Sequence, residues 1–136
     1  MPTRLTDWEV RLGDVLDAYA NRPFEWGKAD CCLFVADCVQ ALTGDDPAKP
    51  YRGRYSNETG ARLALTRYGA GTLVATFDAA FRASVAPAFA HRGDIVMIDD
   101  MTAGVCMGAF GYFVGATGLV KHPYADFVNA WRIGHE

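Results

Sequence analysis

At 136 residues, 51% hydrophobic and 21% charged, the chain has the make-up of one globular domain with room for its own core, and disorder is excluded. A net charge of −3 offers no basic face, which argues against nucleic-acid binding. The opening Met1-Pro2-Thr3-Arg4 is polar rather than a basic and apolar leader, so synthesis and folding in a cytoplasm are expected.

The first element is expected over residues 7–20, where Trp8, Leu12, Val15, Leu16 and Tyr19 recur at helical spacing. Thr6 and Glu9 stand at capping-box spacing, with Leu5 and Val10 at the two staple positions. Asn21-Arg22-Pro23 ends this helix, because the residue before a proline avoids helical geometry. A second helix is expected over 31–42. Cys31, Phe34, Val35, Cys38, Val39 and Leu42 form an unbroken apolar stripe, Asp30 is the N-cap, and Thr43-Gly44 is the stop. This helix should be the most buried. Truncating Phe34 or Val39 to Ala should cost about 2–4 kcal/mol, and Cys32→Ser, off the stripe, much less.

Residues 45–55 read as a loop carrying Lys49, Tyr51, Arg52, Arg54 and Tyr55. Two shorter helices are expected over 57–68 and 72–83, separated by Gly69-Ala70-Gly71, with Leu63, Leu65, Tyr68, Val74, Phe77 and Phe81 in the core. Pro87 closes this part. After His91-Arg92-Gly93-Asp94 the apolar period becomes that of strands, expected at 95–98, 104–107, 112–114, 118–120 and 129–133. The uncharged run 102–120 has the length of a short membrane span, but its glycines at 104, 108, 111, 115 and 118 read as turns and bulges, so no span is expected. Helices over about 1–90 followed by an antiparallel sheet over about 92–134 give a single α+β domain, 1–136.

Cysteines 31, 32, 38 and 106 show neither a Cys-x-x-Cys nor a Cys/His pair at finger spacing, so nothing asks for a metal or another cofactor. Cys38 and Cys106 read as small apolar core residues. Cys31 is different, because it follows the turn Phe24-Glu25-Trp26-Gly27 and opens a buried helix. A thiol there gains from the helix dipole and from free backbone N–H groups, which lower its pKa. Trp26 is expected to pack under the cysteine loop and Gly27 to supply a backbone angle or close approach. Asp30 is expected to cap the helix first and to tune Cys31 second.

Phe24-x-Trp26-Gly27-x-x-Asp30-Cys31 resembles the tyrosine-x-tryptophan-glycine and aspartate-cysteine signature of NlpC-type cell-wall cysteine peptidases, a papain-like superfamily. Over nearly its full length the chain is similar to small proteins encoded in phage and prophage tail-gene clusters. The shared features include Thr43-Gly44-Asp45-Asp46-Pro47, Arg52-Gly53-Arg54-Tyr55, Arg92-Gly93-Asp94-Ile95 and Ala130-Trp131-Arg132-Ile133. The resemblance implies a papain-like fold with Cys31 as nucleophile, a histidine base after the Gly-Asp strand, and a polar orienting residue in the next strand. Thr102 stands in the histidine's place and Gly115 in the polar one, so only Cys31 remains of the triad. His122, at a nearby strand end, is the candidate replacement base, whereas His91 lies before the Gly-Asp step.

The resemblance therefore implies a virion component of a phage-type tail tip, made in the bacterial host cytoplasm, degenerate and structural, with other tail-tip or hub proteins as partners. One alternative is an active hydrolase that cuts peptidoglycan peptides during genome delivery. Another is a thiol- or metal-handling protein working through Cys31 and Cys32.

Overall fold

The apolar stripe on the second helix predicts a central element, and the computed structural model, which describes residues 3–134, places that helix between two apolar layers. The helices are α1 (Trp8–Tyr19), α2 (Cys31–Thr43), α3 (Glu58–Tyr68) and α4 (Leu73–Phe81). The strands are β1 (Ile95–Met97), β2 (Ala103–Cys106), β3 (Phe110–Gly115), β4 (Gly118–Pro123) and β5 (Asn129–Trp131). They form one antiparallel sheet in the order β4-β3-β2-β1-β5. The class is α+β. Residues 102–120 are turn and strands, and among the described residues no helix is long and apolar enough to cross a membrane.

Asp30 caps α2 by accepting the Leu33 N–H at 2.9 Å, and Gly44, at φ +87°, ends it in the left-handed conformation that favours glycine. Phe34, Val35, Cys38, Val39 and Leu42 bury against Ile95, Met97, Ala103, Val105, Trp131 and Ile133 of the sheet side. The other flank of α2 is also covered: Leu33 and Ala36 pack with Ala48, Tyr51 and Ala64. Cys32 is half-buried on this flank, its sulfur 3.4 Å from the Tyr51 hydroxyl. Lying off the stripe therefore does not leave it in solvent.

The far face of the sheet gathers Val96, Cys106, Phe113, Phe127 and Ala130. Glycine makes room for the Phe113 ring: a Cβ on Gly104 would lie 2.6 Å from it and 2.2 Å from the Tyr112 carbonyl oxygen. At the start of the chain, Arg4 donates to the carbonyls of Ile133 (2.9 Å) and Arg92 (2.8 Å) and to the Asp94 carboxylate (2.9 Å). Asp94, fully buried, also accepts the N–H of Ile133 and of His91. The Arg-Gly-Asp-Ile and Ala-Trp-Arg-Ile segments thus meet at one carboxylate.

The expected capping box does not form. Asp7 is the N-cap of α1 and makes no side-chain cap bond, while Glu9 pairs with Arg92. Val10, a proposed staple residue, is 68% exposed, and so is Leu63 at 65%. On α3 it is Ala64 that is buried, in a cluster with Leu33 and Ala36 of α2 and with Ala48 and Tyr51 of the 45–55 loop.

Two glycine substitutions should act in opposite directions. Gly104→Ala must part β2 from β3 and should cost about 1–3 kcal/mol or more, as overpacking does. Gly13→Ala places its methyl where nothing lies within 4 Å, and should gain about 0.5–1 kcal/mol from helix propensity. Thermal melts check both, and equal shifts would contradict the packing described.

Candidate functional site

The turn before α2 is closed by backbone bonds between Glu25 and Ala29, with Gly27 at φ +81°. The Gly27 N–H donates to Asp30 Oδ2 at 2.9 Å, and a Cβ on Gly27 would sit 2.2 Å from the Tyr55 carbonyl oxygen. Both the angle and the close approach therefore require glycine. The Tyr55 hydroxyl donates to the same Asp30 oxygen at 2.5 Å. Trp26 packs edge-on against Phe24 (centroids 4.8 Å apart) and lines a narrow cleft with Cys31, Cys32, Tyr51, Tyr55 and Met101. The cleft holds about 50 Å³.

Cys31 opens α2 beside the turn between β1 and β2. Its thiol donates to the Met101 carbonyl at 3.5 Å. Burial pushes this thiol up to about 11, and the Asp30 charge adds to the rise; the Ala103 N–H works against both. The expectation of a thiol made acidic by the helix terminus is thus corrected, since removal from water outweighs the dipole. Cys32 is pushed up to about 12, again by burial, with the Tyr51 hydroxyl opposing it.

Thr102 lies between the two residues whose backbones meet the Cys31 sulfur, and its hydroxyl donates to Asp99 at 3.1 Å. Asp99 is held below the usual carboxylate range by the Met101 N–H and by Thr102, so its lone pairs serve the turn rather than the thiol. Gly115 reaches the site only through its carbonyl, which accepts the Phe24 N–H at 3.1 Å. His122 is not brought to Cys31. It pairs with Gly111 opposite Cys106, the far end of β2, and its ring packs on Phe113 across the sheet face that α2 does not touch. His122 Nδ1 lies 3.5 Å from Asp126. His91 precedes β1, at the end of that strand away from the turn that meets Cys31. Among the described residues, no group of three or more His, Cys, Asp or Glu is arranged to hold a metal ion.

The sequence alone did not single out Tyr51, Tyr55 or Met101 as site residues. The aromatic residues of the 45–55 loop were the available signal, since a loop that keeps two tyrosines has something to pack them on.

Tyr55→Phe leaves Asp30 Oδ2 with one donor and should cost about 1.5–3 kcal/mol, the range for a hydrogen bond to a charged group; a neutral outcome in urea melts would remove Asp30 from its central place. Burial also ties stability to pH. The folded chain holds protons on Cys31, Cys32 and Cys38 that the unfolded chain releases near the ordinary value of 9.0. The contribution of Cys31 and Cys32 is complete below that pH and is lost as pH rises towards 11–12, and Cys38 acts in the same direction. The urea midpoint should fall between pH 8.5 and 11, and fall less steeply in Cys31→Ala; a flat profile would mean that the thiols are solvated.

No curated protein and no solved structure matches the chain. A family model described as a domain of unknown function, DUF6950, matches residues 3–133, and the chain belongs to that family.

Proposed function

We propose that this protein is a structural component of a phage-type tail tip, built on a papain-like, NlpC-type domain that has lost its catalytic base. The observation that carries the non-catalytic half is the Cys31 thiol donating to a backbone carbonyl, with His91 before β1 and His122 on the far face of the sheet. Amide hydrolysis by a thiol needs a group that takes the thiol proton and returns it to the leaving amine, and a threonine hydroxyl does neither near neutral pH. Such groups are typically worth about 10²–10⁴-fold each.

The papain-like assignment is supported by a cysteine at the first turn of a central helix, packed on an antiparallel sheet, with its sulfur against the start of β2. The tail-tip assignment rests on the sequence resemblance. In the shared segments, Gly44 stops α2, Asp46 pairs with Arg52, Tyr55 holds Asp30, and Trp131 donates to Asp78 at 2.9 Å. These are framework contacts, which a hydrolase and a docking scaffold would both keep.

Purified protein incubated with muropeptides should show no turnover, and Cys31→Ala should enter tail particles as the native chain does. Turnover that vanishes in Cys31→Ala would establish the hydrolase alternative instead. Absence of the protein from purified tails, judged by mass spectrometry, would overturn the tail-tip assignment.

A further inference from the structure

We infer that α3 is a hinged lid over the Cys31–Cys32 cleft, and that its opening, short of unfolding, controls access to both thiols. The inference goes beyond the tail-tip reading and holds whether or not Cys31 performs chemistry.

Burial sets α3 apart from the other helices. α2 buries residues along two flanks and α4 buries Leu73, Thr76, Phe77 and Phe81, whereas Ala64 is the buried residue of α3. On α3 the cleft is lined by Ala61, Ala64 and half-buried Leu65, with Glu58 and Arg62 at its exposed rim, while Leu63 faces solvent. A helix with so little buried apolar area opens at lower free energy than the core it covers.

Both ends of α3 are pinned, and the pins sit where hinges belong. Upstream, Tyr55 is fixed by its bond to Asp30, and Asn57 then starts the helix by accepting the Gly60 N–H at 2.7 Å. Downstream, the Ala70 N–H donates to Thr76 on α4 at 3.0 Å, between Gly69 and a Gly71 at φ +95° with open space around it. Between these pins the helix is held by Ala64, by half-buried Leu65 against the main core, by the packing of Tyr68 and by the Arg54 guanidinium over the Tyr68 ring at 5.3 Å. Beneath it lie both thiols, half-buried and donating to or paired with Met101 and Tyr51. In the closed state burial keeps both protonated. Opening removes that cause, so the thiols become accessible and more acidic together.

Thiol labelling of the full chain, read site by site by mass spectrometry, tests the lid, with buried Cys38 and Cys106 as internal references for global unfolding. In the native protein at pH 7.5, Cys31 and Cys32 should label ~10²–10³-fold more slowly than a free thiol yet at least ~10-fold faster than Cys38 and Cys106, as local opening requires. Tyr68→Ala, which loosens the lid without altering the cleft lining, should speed Cys31 and Cys32 by roughly 5–10-fold and leave the reference sites unchanged. Labelling of all four cysteines in step would overturn the inference, as would full-rate labelling of Cys31 and Cys32 or no response to Tyr68→Ala. Should Tyr68→Ala fail to fold, the order of labelling in the native chain decides by itself, checked by hydrogen exchange. Amides of α3 exchanging as slowly as those of α2 would equally rule the lid out.

Discussion

The buried carboxylate of Asp30 is the constraint on which the rest of this structure depends. An ionised group removed from water is costly unless its lone pairs are met by donors. Here the donors come from three segments: the Gly27 N–H of the preceding turn, the Leu33 N–H of α2, and the Tyr55 hydroxyl of the following loop. Satisfying one side chain therefore fixes where the central helix begins, the shape of the turn before it, and where the long loop returns. The left-handed Gly27 follows from the same demand, since the Tyr55 backbone occupies the space a side chain would need.

Cys31 inherits its chemistry from that arrangement. A helix N-terminus favours a thiolate by about 0.3–1 kcal/mol. Raising a thiol from 9.0 to about 11 corresponds to roughly 2–3 kcal/mol in the other direction. Burial wins, and Asp30 adds to it rather than activating the sulfur. In a peptidase, a protonated imidazole beside the sulfur would reverse this balance. Here the neighbours of the sulfur are the backbones of Met101 and Ala103.

How much of this was legible in the sequence follows from the range of the interactions involved. The phase of α2, its aspartate cap and its glycine stop are local, and the structure holds all of them. The change of period after Asp94 likewise located five strands to within a few residues. What escaped depends on contacts across the chain. Glu9 was free to complete a capping box until Arg92 came within reach from 83 positions away. Leu63 looked like core because periodicity does not show that α3 turns Ala64, not Leu63, to the cluster formed by Leu33, Ala36, Ala48 and Tyr51. Cys32 lies off the apolar stripe, and its cover, Tyr51, arrives from a loop that carries no periodic signal. His122 shared a hairpin with the site in sequence, but the register and pleat of β3 and β4 set it on the opposite face.

Three phenols complete the account of α2. Tyr19 donates to Asp37 at 2.6 Å, Tyr51 pairs with Cys32 at 3.4 Å, and Tyr55 donates to Asp30 at 2.5 Å. A tyrosine contributes apolar area and one directional bond at once, so each adds orientation as well as burial. Arg52 ties the set together by bridging Asp37 and Asp46 at 2.8 and 2.9 Å. The helix is thus pressed on the sheet by its apolar stripe and fixed along its other flank by polar contacts, which leaves Cys31 one position. A fixed cysteine helix serves a hydrolase and a docking scaffold equally well, so the framework by itself does not separate the two. What separates them is the proton-handling partner, and at the start of β2 this chain offers Thr102, with its hydroxyl turned to Asp99.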